Sequence, residues 1–174
     1  MYRLRELERR DMAVVNEWRN DPELIARLGA PFRVINTEVD DVWFDAYMRN
    51  RHTQVRCAIV DGDDKLVGLA SLTDIDAVYR CAEFHIMIGK ECDRGRGAGT
   101  YALGVMLAHA FKDLNLHRVE LTVLSCNLWA QHLYEEAGFI REGRKRQAVY
   151  KNGEYSDLLL YSLLRDEYDR AYQP

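Results

Sequence analysis

Positive charge is not in excess in this chain of 174 residues: 24 lysines and arginines stand against 28 aspartates and glutamates, a formal net charge of −4. With no surplus of cations to neutralise phosphates, non-specific nucleic-acid binding is excluded as the main task. Proline is scarce at three residues, which leaves no room for a Pro-rich linker. Long apolar runs are missing too: the nearest candidate for a membrane span, Tyr101 to Phe111, contains Gly104 and His109 and is too short. The opening Met1-Tyr2-Arg3-Leu4-Arg5-Glu6 has no signal-peptide core. No membrane partner and a cytoplasmic location are therefore expected. The four cysteines (Cys57, Cys81, Cys92, Cys126) form no C-x-x-C pair, which points to free thiols rather than a disulfide framework or a zinc site, and no metal is expected.

What is present suits one globular domain over residues 1–174. Hydrophobic residues make up 48% and charged residues 30%, enough apolar material for a sizeable core. Tyr2 to Leu7 alternates as an edge strand does. Asp11 is placed to cap a helix carrying Met12, Val15 and Trp18, with Asp21-Pro22 as its stop. Thr37, with Asp40 three residues on, is placed to start a second helix with Val42, Trp43, Ala46 and Tyr47 on its apolar side. From residue 54 the period becomes two. Val55–Val60 and Lys65–Leu72 read as a hairpin about the turn Asp61-Gly62-Asp63-Asp64, and Ala82–Ile88 as a third strand.

A long helix follows with Leu103, Leu107, Ala110, Phe111 and Leu114 on one face. Then come a strand over Arg118–Leu124 and a helix from about Asn127 that stops at Gly138. Two last strands, near Ile140–Tyr150 and Tyr155–Leu163, are joined by the turn Asn152-Gly153. The order β-α-α-β-β-β-α-β-α-β-β predicts an α+β (mixed-sheet α/β) fold with helices on both faces.

Between the third strand and the long helix lies Arg94-Gly95-Arg96-Gly97-Ala98-Gly99. Small residues let backbone approach a ligand closely, and a helix start presents unpaired N–H groups to an anion, with two arginines adding charge. A phosphate-bearing ligand suits this loop. No Gly-Lys-Ser/Thr follows, so it is not a Walker loop. A dinucleotide fingerprint would need glycine where Thr100 stands. A flexible turn with no ligand is the remaining reading. Further on, N-x-x-A-x-x-L-Y-x-x-x-G-F runs from Asn127 to Phe139. Asn127 and Tyr134 lie two helical turns, about 10 Å, apart on one face. Taken singly, Asn127 reads as an N-cap and Tyr134 as a core residue.

Together, R-x-x-G-x-G and the N-x-x-A-x-x-L-Y-E-x-x-G-F segment some thirty residues later resemble the GCN5-related N-acetyltransferase superfamily along essentially the whole chain. A-E-F-H-I-M-I, L-N-L-H-R-V-E-L-T-V and the tail with N-G-E-Y-S-D resemble its ribosomal-protein, spermidine and nucleotide-aminosugar branch. The resemblance implies acetyl-CoA as co-substrate, its pyrophosphate on the backbone of Arg94, Gly95, Arg96, Gly97, Ala98 and Gly99. It implies that Ile86, Met87 and Ile88 pair with the pantetheine arm, that Asn127 hydrogen-bonds the cofactor near the thioester, and that Tyr134 protonates the departing thiolate. The acetyl group then passes directly to a primary amine, on a small molecule such as a polyamine or aminosugar or on a protein N-terminus. Glu83 and His85 share one face of their strand. Glu83 is expected to be the general base, directly or through water, if burial raises its pKa, with His85 as the alternative. Salt bridges of Glu83 to Arg80 or Arg118 are the structural reading. His52, His109, His117 and His132 read as structural or solvent-facing.

Residues 20–50 form the acceptor wall that the resemblance implies. Asp21, Glu23, Glu38, Asp40, Asp41 and Asp45 there suit a cationic amine. The stretch Gly29-Ala30-Pro31-Phe32-Arg33 departs from the paired glutamates of the spermidine enzymes. Arg141, Arg144, Lys145 and Arg146 form a basic cluster, suited to a nucleotide or ribosomal partner or to a solvated strand end, and exposed edges in the final strands suit a homodimer. Two other functions fit parts of the pattern. A non-catalytic acyl-CoA sensor is disfavoured by the presence of both Asn127 and Tyr134; a dinucleotide-dependent oxidoreductase is disfavoured by Thr100 and the hairpin-rich front half.

Overall fold

Strands that bury alternate side chains and helices that bury one face build a layered mixed sheet, seen in a computed structural model that describes residues 1–172. The elements are β1 (Arg3–Glu6), α1 (Met12–Arg19), α2 (Pro22–Ala26), α3 (Thr37–Arg49), β2 (Val55–Val60), β3 (Leu66–Asp76), β4 (Cys81–Ile88), α4 (Ala98–Ala108), β5 (Arg118–Leu124), α5 (Leu128–Glu136), β6 (Ile140–Lys151), β7 (Glu154–Leu164) and α6 (Arg165–Tyr172). A π-helical turn, His109–Asp113, prolongs α4. The sheet order is β1-β2-β3-β4-β5-β7-β6. Every neighbouring pair is antiparallel except β4 and β5, which are parallel.

Two helices exceed the sequence reading. Asp21-Pro22 ends α1 and also starts α2: the Asp21 carboxylate accepts from the Glu23 and Leu24 N–H groups, and Pro22 occupies the position where a missing N–H costs nothing. After β7, Glu167 accepts from Leu164 N–H at 2.8 Å, and α6 buries Tyr168 stacked on Phe111 with ring centroids 4.7 Å apart. Both helices of the front half start where expected, at Met12 and Thr37, but their caps differ. Asp11 does not cap α1, because its carboxylate is held by Arg5 and by the Glu8 N–H. Asn36, rather than Thr37, caps α3 through the Val39 N–H. The buried side of α3 is Asp40, Phe44 and Tyr47, and Val42 is 64% exposed.

Alternation along β2 divides the core. Ala58 and Val60 face Trp18, Phe44 and Tyr47 of α1 and α3, while Ile59 points through to the opposite cluster with Leu103, Met106 and Leu107 of α4. Sandwiched in this way, the sheet is a fixed platform. One seam in it is incomplete. β4 and β5 pair only from Cys81 to Glu83 against Arg118 to Glu120. Beyond that the strands part, while Ile86, Met87 and Ile88 stay paired to β3 on their other side. The opening is a cleft in the middle of the sheet, and the functional candidates gather there.

The acidic residues of the front segment do not line that cleft. Asp40 is fully buried against Arg19 and Asn16, Asp41 and Asp45 pair with Arg9, and Asp21 is a helix cap. Glu23 and Glu38 face solvent. Four of the six carboxylates of the expected acidic wall are thus engaged within the fold, and the other two face solvent. On the edge strand β6, Arg144 pairs with Asp157, while Arg141, Lys145 and Arg146 stay exposed; charge on a free edge discourages strand addition.

Candidate active site

Two cavities, of 480 Å³ and 590 Å³, meet in the cleft. They share Ile86 and Met87 on the β4 side and Asn127 and Ala130 on the α5 side.

The larger cavity opens over the start of α4. Gly95 and Gly97 have φ of +68° and +85°, a left-handed backbone that L side chains resist, and no neighbour within 4 Å would meet a Cβ at either. The first intrahelical bond is Tyr101 N–H to Gly97 O at 2.9 Å, so the N–H groups of Ala98, Gly99 and Thr100 have no helical partner. Gly95, Gly97, Gly99 and Ile88 line this cavity. Ala98 is absent from the lining, its side chain being packed in the core. The two arginines differ: Arg94 lines this cavity and Arg96 does not. Arg94 is held by the Gly89 carbonyl at 3.1 Å, and Arg96 is exposed outside the lining. Glu91, Asp93 and Glu136 line the space beside Arg27 and Arg94, so its side-chain charge is mixed, and the unpaired N–H groups of the helix start are its uniformly positive feature. Trp129, 78% exposed at the cavity wall, and His132, paired with Glu136, were not legible as site residues.

Asn127 serves as the α5 N-cap, its side-chain oxygen accepting from Ala130 N–H at 3.2 Å. Its amide also donates to Arg27 O at 3.1 Å, which ties the loop after α2 across the cleft. One amide hydrogen remains for a ligand. Tyr134 is 5% exposed, set edge-on to Phe84 and against Phe139 and Tyr161. It lines the smaller cavity, and burial alone raises its phenol pKa well above the usual value. The hydroxyl is therefore protonated at neutral pH.

His85 lines the smaller cavity; Glu83 lines neither. Glu83 keeps 32% of its side chain exposed, so the burial expected of it is not there. Arg118 is taken by Glu120 and Glu142, and Arg80 by Asn115, so neither arginine bridges Glu83. Its partner is His85, with Oε2 3.8 Å from Nε2. Thr73 Oγ1 lies 3.0 Å from the same Nε2 and donates to Asp74 Oδ2 at 3.1 Å. A carboxylate only accepts, so the Thr73 hydroxyl spends its hydrogen on Asp74 and accepts from Nε2–H. That network assigns the proton to Nε2 and leaves the lone pair on Nδ1. The His85 side chain is half exposed, yet loss of water around the ring lowers its pKa; Arg56 pushes the same way, and Glu83 and Asp74 oppose.

The rest of the smaller cavity comes from remote segments: Arg27, Gly29 and Ala30 after α2, Trp43 of α3 and Arg56 of β2. Arg56 is half-buried with its guanidinium 4.8 Å from the Trp43 ring centroid, and its Nε donates to Gln54 Oε1 at 2.8 Å. Burial lowers its pKa from the ordinary arginine value.

Comparisons with known proteins agree with this geometry. Residues 2–140 match the family described as acetyltransferase (GNAT) domain. Spermidine N(1)-acetyltransferase of Vibrio cholerae serotype O1 is 32% identical over 168 residues, 95% of this chain and 94% of that protein. The putative ribosomal N-acetyltransferase YdaF of Bacillus subtilis is 37% identical over 107 residues, 62% of this chain and 58% of that protein. A crystal structure of the Vibrio cholerae spermidine N-acetyltransferase in complex with CoA and spermine superposes with a TM-score of 0.89 at 28% identity, covering 96% of this chain and 97% of that one. The chain belongs to the GNAT acetyltransferase family and is an acetyl-CoA-dependent N-acetyltransferase acting on an amine.

Proposed function

We propose that the larger cavity holds acetyl-CoA, that the smaller one takes a small-molecule primary amine, and that His85 and Tyr134 handle the two protons of the transfer. Support comes from one observation above all: β4 and β5 part beyond Glu83, and the gap connects a helix-start anion cradle to a cavity with an imidazole and a phenol in its lining. The backbone amides of residues 98–100 hold the diphosphate, and the strand edge of Ile86, Met87 and Ile88 lines the channel for the pantetheine arm. Backbone N–H groups on the parted β4 edge stabilise negative charge on the carbonyl oxygen without reorganising.

In the transfer the amine nitrogen bonds to the acetyl carbon and the carbon–sulfur bond breaks. His85 Nδ1 accepts the proton that the nitrogen gives up, and Tyr134 delivers its phenolic proton to the departing sulfur. Glu83 and Asp74, grouped at the Nε2 edge of His85, stabilise the imidazolium; Glu83 is a positioning residue in this scheme. A raised phenol pKa makes Tyr134 a weaker acid, but a thiolate leaving into the same dry space is correspondingly more basic, so the two effects offset.

Thiol release from acetyl-CoA, followed while amines are added, tests this reading. Amine-dependent release by the wild type that falls in both His85→Gln and Tyr134→Phe is the expected result. Release that needs no amine, or that survives both substitutions, would refute it.

A further inference from the structure

The smaller cavity is lined by cationic side chains and, among the described residues, by no acidic one. Among the described residues, no aspartate or glutamate lines it, whereas Arg27, Arg56 and His85 do. Arg27 sits on the boundary of both cavities, with Glu91 4.0 Å away, and says little about the acceptor. Arg56 lines the acceptor side alone. Its Nε is used on Gln54 and its flat face lies over Trp43, but among the described residues nothing accepts a hydrogen bond from its two terminal nitrogens. The strand register places it in line with the chemistry: Arg56 pairs with Ser71, and Ser71 with His85, across β2, β3 and β4. Paired residues point to the same face, so a row of three side chains runs from the guanidinium to the imidazole over two strand spacings, about 9.5 Å.

A half-buried guanidinium fixed by stacking and one hydrogen bond, with its terminal nitrogens left over, matches carboxylate and phosphoryl oxygens. It opposes a polycation, which would bring further positive charge into a space whose lining holds no carboxylate, the nearby Glu83 and Asp74 being set against His85 and Thr73 outside that lining. Given that this cleft transfers acetyl groups to an amine, we propose that the acceptor carries an anionic oxygen group, a carboxylate or a phosphoryl, bound by Arg56 while its amine meets His85. Arg56 is then the residue that sets acceptor class, and spermidine, the substrate in the name of the Vibrio cholerae relative, is not the preferred acceptor of this chain.

Matched pairs of amines give the test: glucosamine against glucosamine 6-phosphate, a dipeptide amide against the free dipeptide, and spermidine beside them, in thiol-release kinetics with acetyl-CoA. The phosphate and carboxylate arms separate the two sources of the anion. The anionic member of at least one pair should exceed its neutral partner in kcat/KM by about tenfold to a hundredfold, the scale of hydrogen bonds to a charged group. That ratio should shrink toward one in Arg56→Gln and recover in part in Arg56→Lys, a pattern that a general folding defect would not produce. Equal use of both members of each pair with good turnover, or preference for spermidine, overturns the anion site but leaves the acetyltransferase reading standing. If no member turns over, calorimetric binding of the anionic members decides: binding that Arg56→Gln weakens supports the proposal, and no binding overturns it. Failure to bind acetyl-CoA, in contrast, would strike the acetyltransferase reading itself.

Discussion

The two halves of the cleft are built in opposite ways. On the proposed reading, the cofactor half centres on the loop before α4 and the first turn of that helix, facing Ile86–Ile88, the start of α5, and Leu24, Arg27 and Leu28. Its chemistry is backbone chemistry, unpaired N–H groups and left-handed glycines, and the cradle at the α4 start forms from local sequence. The acceptor half takes Arg27, Trp43, Arg56, His85 and Tyr134 from five separate elements or loops, and its chemistry is in side chains. A family can therefore hold one half constant and vary the other by single substitutions. Alterations in the first half should change acetyl-CoA affinity, and alterations in the second should change turnover and acceptor choice.

The largest effect expected is Tyr134→Phe. It should lower turnover about a hundredfold or more, the scale of a lost general acid, with acetyl-CoA affinity nearly unchanged by calorimetry. Equal losses in turnover and affinity would break the division between the halves. His85→Gln should cost somewhat less, because water can take the amine's proton, and its signature is in the pH profile. In the proposed scheme His85 works as the neutral imidazole, and its pKa is lowered, so wild-type kcat/KM should hold as pH falls past about 6.5 and decline only below it. The variant should lose that acidic limb. A limb that remains in place would assign it to another group.

Gly97→Val tests the other half. A β-branched residue is strained at φ +85°, and the loop it distorts sets the helix start, so the acetyl-CoA dissociation constant should rise about tenfold while kcat at saturation holds. The smallest effect expected is Glu83→Gln. A carboxylate 3.8 Å from Nε2 and outside both cavities should alter kcat only a few-fold while shifting the His85 limb to lower pH, since a charge that favours the imidazolium is removed. Loss on the scale of Tyr134→Phe would return the role of base to Glu83.

The same contrast explains what could be read from the sequence. Strand periodicity located β2 at Val55–Val60, where the structure has it, because alternate side chains there enter two different cores. The glycine loop and the Asn127–Tyr134 spacing were legible because their signals are contiguous. The acceptor half was not, since cross-strand register creates the row Arg56–Ser71–His85 and no local spacing encodes it. One clue was available: Arg56 is the single charge in the strand Val55-Arg56-Cys57-Ala58-Ile59-Val60, and a cation in an otherwise apolar strand needs a partner. The acidic residues of 20–50 misled because their composition suits a cation, whereas Arg9, Arg19 and the α2 start had already engaged most of them. Helix α6 was missed because its buried anchor, Tyr168, packs on Phe111, far away in sequence.

A crystal structure with acetyl-CoA bound is the most direct test of this arrangement. The diphosphate should lie within hydrogen-bond distance of the backbone N–H groups of residues 98–100, with the sulfur beside the Tyr134 hydroxyl and the acetyl group turned toward His85. A diphosphate bound away from the α4 start, or a thioester pointing out of the gap between β4 and β5, would contradict it.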